Sequence, residues 1–281
     1  MAQRTANQLI ATWPTWPFDL SREPEVVGVL KSETNAVYKL TSDAGPLVLR
    51  VNNPRSTQLG IDRECESTVL VAIADATFAI PVIFNRPDDG YQVSTFAGGA
   101  HPDSPHADQI RAMGTALAEL HGRRAPVTIV EPSRQIEHYW HRLPLPLTKR
   151  LAHIRAGAQA LHWTPLTTSL CHFDLLPPNL LLQPDAYGGW RLVILDWEFA
   201  ALGDPLFDLA TLVDGLNLGR DDVEVLLGAY ANAEAGHDAI AKARVTSQFL
   251  ALLWRLTRDT DYNPTNSVEA LERLLSQLKS D

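Results

Sequence analysis

Residues 171–182 read CHFDLLPPNLLL, and residues 195–210 read LDWEFAALGDPLFDLA. Two apolar runs, Leu180–Gln183 and Trp190–Leu195, lie between the motif residues and are joined by the turn-rich hexapeptide PDAYGG. Apolar runs punctuated this way read as a β-hairpin. The open ends of an antiparallel hairpin lie side by side, with strands about 4.8 Å apart. Asn179 stands just before the first strand and Asp196 just after the second, so the hairpin brings them to one place. Pro177–Pro178 prevents a regular helix between Asp174 and Asn179. That segment is therefore expected to be a loop whose polar side chains face a common cleft.

An amide oxygen at 179 and a carboxylate at 196 are hard oxygen ligands, the type Mg²⁺ prefers when it also holds phosphates. Asp174 is then placed to accept the proton of an attacking hydroxyl. A base Asp, an Asn five residues later and a metal-binding Asp after a hairpin are the parts of a phosphoryl-transfer site.

Outward from this centre, the first hundred residues are strand-rich. EVVGVL (25–30), AVYKL (36–40) and PLVLRV (46–51) are short β-branched or alternating runs. From Leu59 to Ala74 the pattern is helical, with Ile61, Cys65, Val69 and Ile73 along one face. IPVIF (80–84) and YQVST (91–95) come next as two more strands around the turn RPDDG. The glycines at 98 and 99 mark a boundary, giving lobes at 1–96 and 101–281 with a hinge at 97–100. Ala107–His121 reads as a helix stopped by Gly122, and most of the chain beyond Gly122 is helical. The fold class is α+β: a small five-stranded antiparallel lobe with one helix, then a larger, mainly helical lobe.

The 281 residues carry a net charge of −9, which argues against sequence-blind nucleic-acid binding, since phosphate backbones need clustered Lys and Arg. No stretch approaches the roughly 20 apolar residues of a membrane helix, and the N-terminal residues lack the pattern of a signal peptide. A cytoplasmic setting is the expectation, with the oligomeric state open. The two cysteines, Cys65 and Cys171, form no CxxC pair, and the histidines show no ligand spacing, so neither a zinc site nor a disulfide framework is expected.

HFDLLPPN followed by LVILDWEFAALGDPLFDLA resembles the paired motifs of the aminoglycoside phosphotransferase and choline kinase superfamily, relatives of the protein kinases. DWE, and TNAVYKL in the N-terminal part, are closest to the choline, ethanolamine and thiamine kinase branch. The resemblance implies a bilobal protein-kinase-like fold, ATP and Mg²⁺ as cofactors, and a small alcohol as acceptor. It makes Asp174 the catalytic base, Asn179 and Asp196 the metal ligands, and Asp208 the anchor of the catalytic loop, on a helix begun by Asp204–Pro205. His172 holds the loop. Arg50 takes the place of the phosphate-holding lysine, with Glu66 as its partner and Glu64 as the rival. Ser32, Thr34 and Asn35, in the turn GVLKSETN, cover the phosphates, and residues 94–97, with Phe96 among them, are the stretch against which adenine packs. Glu198 is either a rim charge paired with an arginine or a carboxylate facing a cationic substrate. Trp140, Trp163 and Trp254 lie where an acceptor pocket belongs, and aromatic faces bind quaternary ammonium groups.

The implied reaction is phosphorylation of a choline- or ethanolamine-like alcohol. Thiamine kinase and aminoglycoside phosphotransferase are the alternatives within the class. A catalytically inactive nucleotide-binding scaffold and a metal-dependent phosphohydrolase stand outside it.

Overall fold

The apolar runs of the N-terminal third pair into one antiparallel sheet in the computed structural model, which describes residues 4–232, 234–259 and 261–278. A short helix, α1 (Ala6–Ile10), precedes the strands β1 (Glu25–Leu30), β2 (Ala36–Thr41), β3 (Leu47–Val51), β4 (Val82–Arg86) and β5 (Tyr91–Thr95). Their order is β1-β2-β3-β5-β4. Leu9, Ile10 and Trp16 cover one face, packing on Leu40, Leu47, Leu49, Tyr91 and Val93.

Two boundaries differ from the sequence reading, each for a local reason. β4 starts at Val82 rather than residue 80, because Pro81 has no N–H for the ladder and contributes only its carbonyl, to Thr95 N at 3.0 Å. The helix expected from Leu59 is a 3-10 turn, Ser56–Leu59, followed by α2 (Arg63–Ala72). Gly60 breaks the run with φ 79°, and the Asp62 carboxylate caps α2 by accepting from Glu64 N and Cys65 N at 3.0 Å each.

The second part of the chain holds α3 (Ala107–Gly122), α4 (Pro132–Trp140), α5 (Leu145–Gln159), the strands β6 (Ser169–Cys171), β7 (Leu180–Pro184), β8 (Trp190–Ile194) and β9 (Ala201–Gly203), then α6 (Leu206–Gly215), α7 (Arg220–Tyr230), α8 (His237–Arg258) and α9 (Thr265–Gln277). β7 and β8 form the expected hairpin, with Leu180 opposite Ile194 and Pro184 opposite Trp190. A second ladder, β6 with β9, pairs Ser169 with Gly203 and Cys171 with Ala201. Strands of three residues carry too little periodicity to be read from sequence. The loop of residues 174–179 holds one 3-10 turn, Pro177–Asn179, which two prolines permit where they forbid an α-helix.

Two apolar clusters sit in this part. One gathers α3, the hairpin, α6 and α7; the other gathers α4, α5, α8 and α9. Val69 and Leu70 of α2, with Ile73 and Phe78 after it, belong to the first of these rather than to the cluster under the five-stranded sheet. The helix of the small lobe is thus seated on the core of the large one, and this seating aims its charged first turn at the cleft.

α3 and α7 approach closely at Gly114, where an added Cβ would lie 2.5 Å from the Leu226 carbonyl and 2.8 Å from Ala229 Cβ. Gly114→Ala should therefore cost about 1–3 kcal/mol of stability, whereas Gly122→Ala, which points into open space, should leave it nearly unchanged. Urea unfolding of both variants checks this; equal midpoints would refute the close crossing.

Candidate active site

The segment from His172 to Asn179 is shaped by one buried carboxylate. Asp208, in the first turn of α6 and 0% exposed, accepts hydrogen bonds from His172 N and Phe173 N, both at 2.7 Å. Phe173 adopts φ 63°, a left-handed conformation uncommon for a bulky residue, and the turn aims two successive amides at one acceptor. His121 Nε2 lies 3.2 Å from the same carboxylate. The His172 ring ties the two motifs together: Nε2 donates to the Leu195 carbonyl at 2.9 Å, and Nδ1 accepts from Asp174 N at 3.2 Å. α6 itself begins at Leu206, one residue later than expected, because Pro205 already stands at the cap position; the Asp204 carboxylate accepts from Leu206 N at 3.0 Å.

Asp174 and Asn179 are in direct contact. Asn179 Nδ2 donates to the Asp174 carboxylate at 2.8 Å and to its carbonyl at 2.9 Å, which leaves the amide oxygen to face a cation. The Asn179 carbonyl accepts from Leu195 N at 2.8 Å, so Asp196 comes directly after a residue bonded to Asn179. Asp196 has φ 59°, the second strained non-glycine residue of the site. Burial pushes the carboxyl of Asp174 up, with smaller upward contributions from Glu198 and Glu33. Burial pushes Asp196 up to about 7, reinforced by Glu198, Glu66 and Asp174 against the pull of Arg50. A hard-oxygen donor set with surplus negative charge is one that a divalent cation fits.

Arg50, at the end of β3, forms a two-pronged pair with Glu66 of α2, with Nη2 to Oε2 at 2.8 Å and a second bond from Nη1. Burial alone would favour loss of the Arg50 proton, but Glu66, Asp196 and Glu198 outweigh it and hold the guanidinium charged. Arg50 Nη1 also lies 3.4 Å from Asp196. The rival Glu64 is instead exposed on the first turn of α2.

Several expected roles are corrected by the contacts. Glu198 is 5% exposed, and its Oε2 accepts from Asn35 Nδ2 at 2.8 Å and pairs with Arg63 at 3.1 Å. It is not a rim charge, although its partner is an arginine. Asn35 is equally committed, since its Oδ1 accepts from Arg63 Nη2 at 2.8 Å and Asn53 N at 3.3 Å. Its side chain belongs to a contact between the lobes rather than to a phosphate cradle. Thr34 offers its carbonyl to Asn53 Nδ2 at 3.0 Å, and Ser32 Oγ accepts from Asn35 N at 3.2 Å, so both shape the turn. Phe96 is half-buried, with Lys39 Nζ 3.9 Å from its ring centre. Trp140 carries Arg155 over its ring at 4.6 Å and packs on the α4–α5–α8–α9 cluster, and Trp163 donates to Asp204 at 3.0 Å and packs on the other cluster. Trp254 meets Phe199, the residue after Glu198, edge-on at 6.4 Å and carries Arg258 over its face at 4.9 Å. Arg258 Nη2 donates in turn to the Glu33 carbonyl at 2.6 Å.

Arg63, Arg258, Glu33 and His121 escape the sequence reading. Arg63 stands three residues before Glu66 and directly after the helix cap, a faint signal on its own. His121, Cys171 and Asp208, distant in sequence, gather their ligand atoms within 4.8 Å, a grouping that sequence spacing does not reveal. The imidazole and carboxylate of this group are already engaged in the loop anchor.

Known proteins share this architecture. Residues 25–245 match the model of a family described as the phosphotransferase enzyme family. The protein LicA of Haemophilus influenzae is 32% identical over 118 residues, covering 39% of this chain and 42% of LicA. The match therefore spans less than half of that relative. A homoserine kinase of Methylocella silvestris is 27% identical over 92% of this chain and 89% of its own. Among solved structures, the choline kinase LicA of Streptococcus pneumoniae superposes with a TM-score of 0.76 at 19% identity, covering 90% of this chain and 94% of that one. This is the bilobal kinase-like fold.

Two measurements probe the site. Asp208→Asn turns one acceptor oxygen into an NH₂ group facing a backbone donor, and should cost about 1–3 kcal/mol or more in urea unfolding; unchanged stability would remove the anchor. For Asp196 the folded carboxyl titrates near 7, against an ordinary value of 3.8. Between these values the folded state holds a proton that the unfolded state releases, so this contribution is full below pH about 4 and lost as pH rises toward 7. Metal-free wild type should lose stability relative to Asp196→Asn across that window; a pH-independent difference would contradict the shift.

Proposed function

Because the chain belongs to the phosphotransferase enzyme family, we propose that it is an ATP- and Mg²⁺-dependent kinase that phosphorylates the hydroxyl of a small cationic alcohol of choline or ethanolamine type. The observation that carries this reading is the Asp174–Asn179 contact joined through Leu195 to Asp196, with the Arg50–Glu66 pair beside it. Asp174 orients the acceptor hydroxyl and takes its proton. Its raised carboxyl suits it to a proton that leaves late, and positioning supplies more of the rate than basicity does. The Asn179 amide oxygen and the Asp196 carboxylate would hold Mg²⁺, which neutralises phosphate charge when bound. Arg50, fixed by Glu66, orients phosphate oxygens, and the hinge at 97–100 joins the two lobes.

The acceptor is placed beside Phe199 and Trp254, which meet edge-on at 6.4 Å, with the carboxylate of Glu33 near enough for Asp174 to feel its charge. Negative charge beside an aromatic wall suits an amine. A second reading is favoured by Arg258, which already occupies the face of Trp254. A guanidinium there competes with a stacked quaternary ammonium and welcomes a carboxylate, so an amino-acid alcohol such as homoserine fits. The homoserine kinase similarity, which runs along nearly the whole chain, supports it.

A panel of choline, ethanolamine, thiamine, homoserine and kanamycin with Mg·ATP tests the proposal: one acceptor should raise ADP release well above background. With that acceptor, Asp174→Asn should lower kcat by about 10²-fold or more and leave nucleotide affinity within about twofold, while Asp196→Ala should weaken Mg·ATP binding. Silence across the panel, or full turnover by Asp174→Asn, would overturn it.

A further inference from the structure

We propose that Arg63 is a positioning residue whose guanidinium clamps Glu198 and Asn35 to α2, setting the distance between the phosphate-holding Arg50 and the metal-binding Asp196. This inference rests on the kinase reading of Arg50 and Asp196, and it assigns work to three residues outside that machinery.

Arg63 is the first residue of α2, and only 11% of its side chain is exposed. Its fork serves acceptors from several parts of the chain. Nη1 reaches Glu66 Oε2 at 2.8 Å and Glu198 Oε2 at 3.1 Å; Nη2 reaches Asn35 Oδ1 at 2.8 Å and Ser56 Oγ at 3.1 Å; Nε reaches Ser56 Oγ at 3.2 Å. Asn35 closes the ring by donating to Glu198 Oε2 at 2.8 Å. Asn35 ends the turn between β1 and β2, Glu66 holds Arg50, and Glu198 is two residues after Asp196. One cation therefore joins the β1–β2 turn, the helix of the small lobe and the segment of the large lobe that carries Asp196.

Electrostatics explains why the clamp is built from charges. Arg50 and Arg63 face Glu66, Glu198 and Asp196, a set with one surplus negative charge. With Arg63 neutralised the surplus would be two, inside a cleft where uncompensated carboxylates are costly. Lysine keeps the charge but gathers its three donors on one nitrogen in place of a planar fork, and cannot reach acceptors spread over Nη1, Nη2 and Nε. Glu198 Oε2 is thereby engaged by Arg63 and Asn35, which ties the segment that carries Asp196 to α2.

The test is steady-state kinetics on Arg63→Lys, Glu198→Gln and the double variant, with unfolding midpoints and calorimetric Mg·AMPPNP binding measured alongside. Each single variant should remain folded and lose roughly 10- to 100-fold in kcat/KM for nucleotide, the size expected when reacting groups are misplaced by about 1 Å. The acceptor KM should stay within about twofold, and the double variant should lose no more than the worse single, because the residues act as one unit. Wild-type nucleotide kinetics in folded variants, a loss confined to the acceptor KM, or losses that multiply in the double variant would each overturn the clamp. Failure of the kinase reading is distinguishable, because wild type itself would then turn over no acceptor in the panel, whether or not it binds Mg·AMPPNP.

Discussion

Two backbone amides pointed at one buried carboxylate hold this molecule's chemistry in place. Asp208 accepts from His172 N and Phe173 N, and that demand forces Phe173 into a left-handed conformation. A charged acceptor with no exposure is stable only when its lone pairs are filled, so the loop cannot relax without stranding it. From this fixed turn, the His172 ring reaches the Leu195 carbonyl, and Asp174 is bonded to Asn179. The strain at Phe173 and Asp196 is thus maintained by hydrogen bonds around both.

The cleft beyond the loop is organised by a contest between burial and charge. Asp196 and Asp174 are buried beside Glu198, which penalises the ionised forms of both aspartates. Two arginines answer part of that penalty, and they do so from the small lobe, through α2 and β3. The lobes are therefore joined by the same charges that prepare the site. This arrangement was possible only because α2 packs its apolar side into the core of the large lobe. Had it packed on the five-stranded sheet alone, Arg63 and Glu198 would not be tied.

The aromatic residues show why residue type alone misleads. Trp140, Trp163 and Trp254 are equivalent candidates in the sequence, yet each is decided by what covers it. Arg155 lies over Trp140, Asp204 takes the N–H of Trp163, and Arg258 lies over Trp254 beside the cleft. Glu198 is the parallel case among the charges: it sits inside DWE, two residues from Asp196, and turns inward. Strand alternation, the Pro-Pro break and the hairpin turn specify direction over a few residues, but nothing local specifies which buried partner a long side chain will meet.

The sequence by itself determined the five strands, the hairpin and the adjacency of Asn179 to Asp196, because periods of two and turn residues act over short distances and the open ends of a hairpin must lie together. The pairing of Arg50 with Glu66 rather than Glu64 was only favoured by resemblance, and the buried face of α2 is what selects it. Tertiary structure alone decided the Arg63 ring, the inward turn of Glu198, the short β6–β9 ladder and the gathering of His121 with Asp208. Each of these joins residues far apart in the chain, and the desolvation of charge that makes them matter exists only once the two lobes have closed around them.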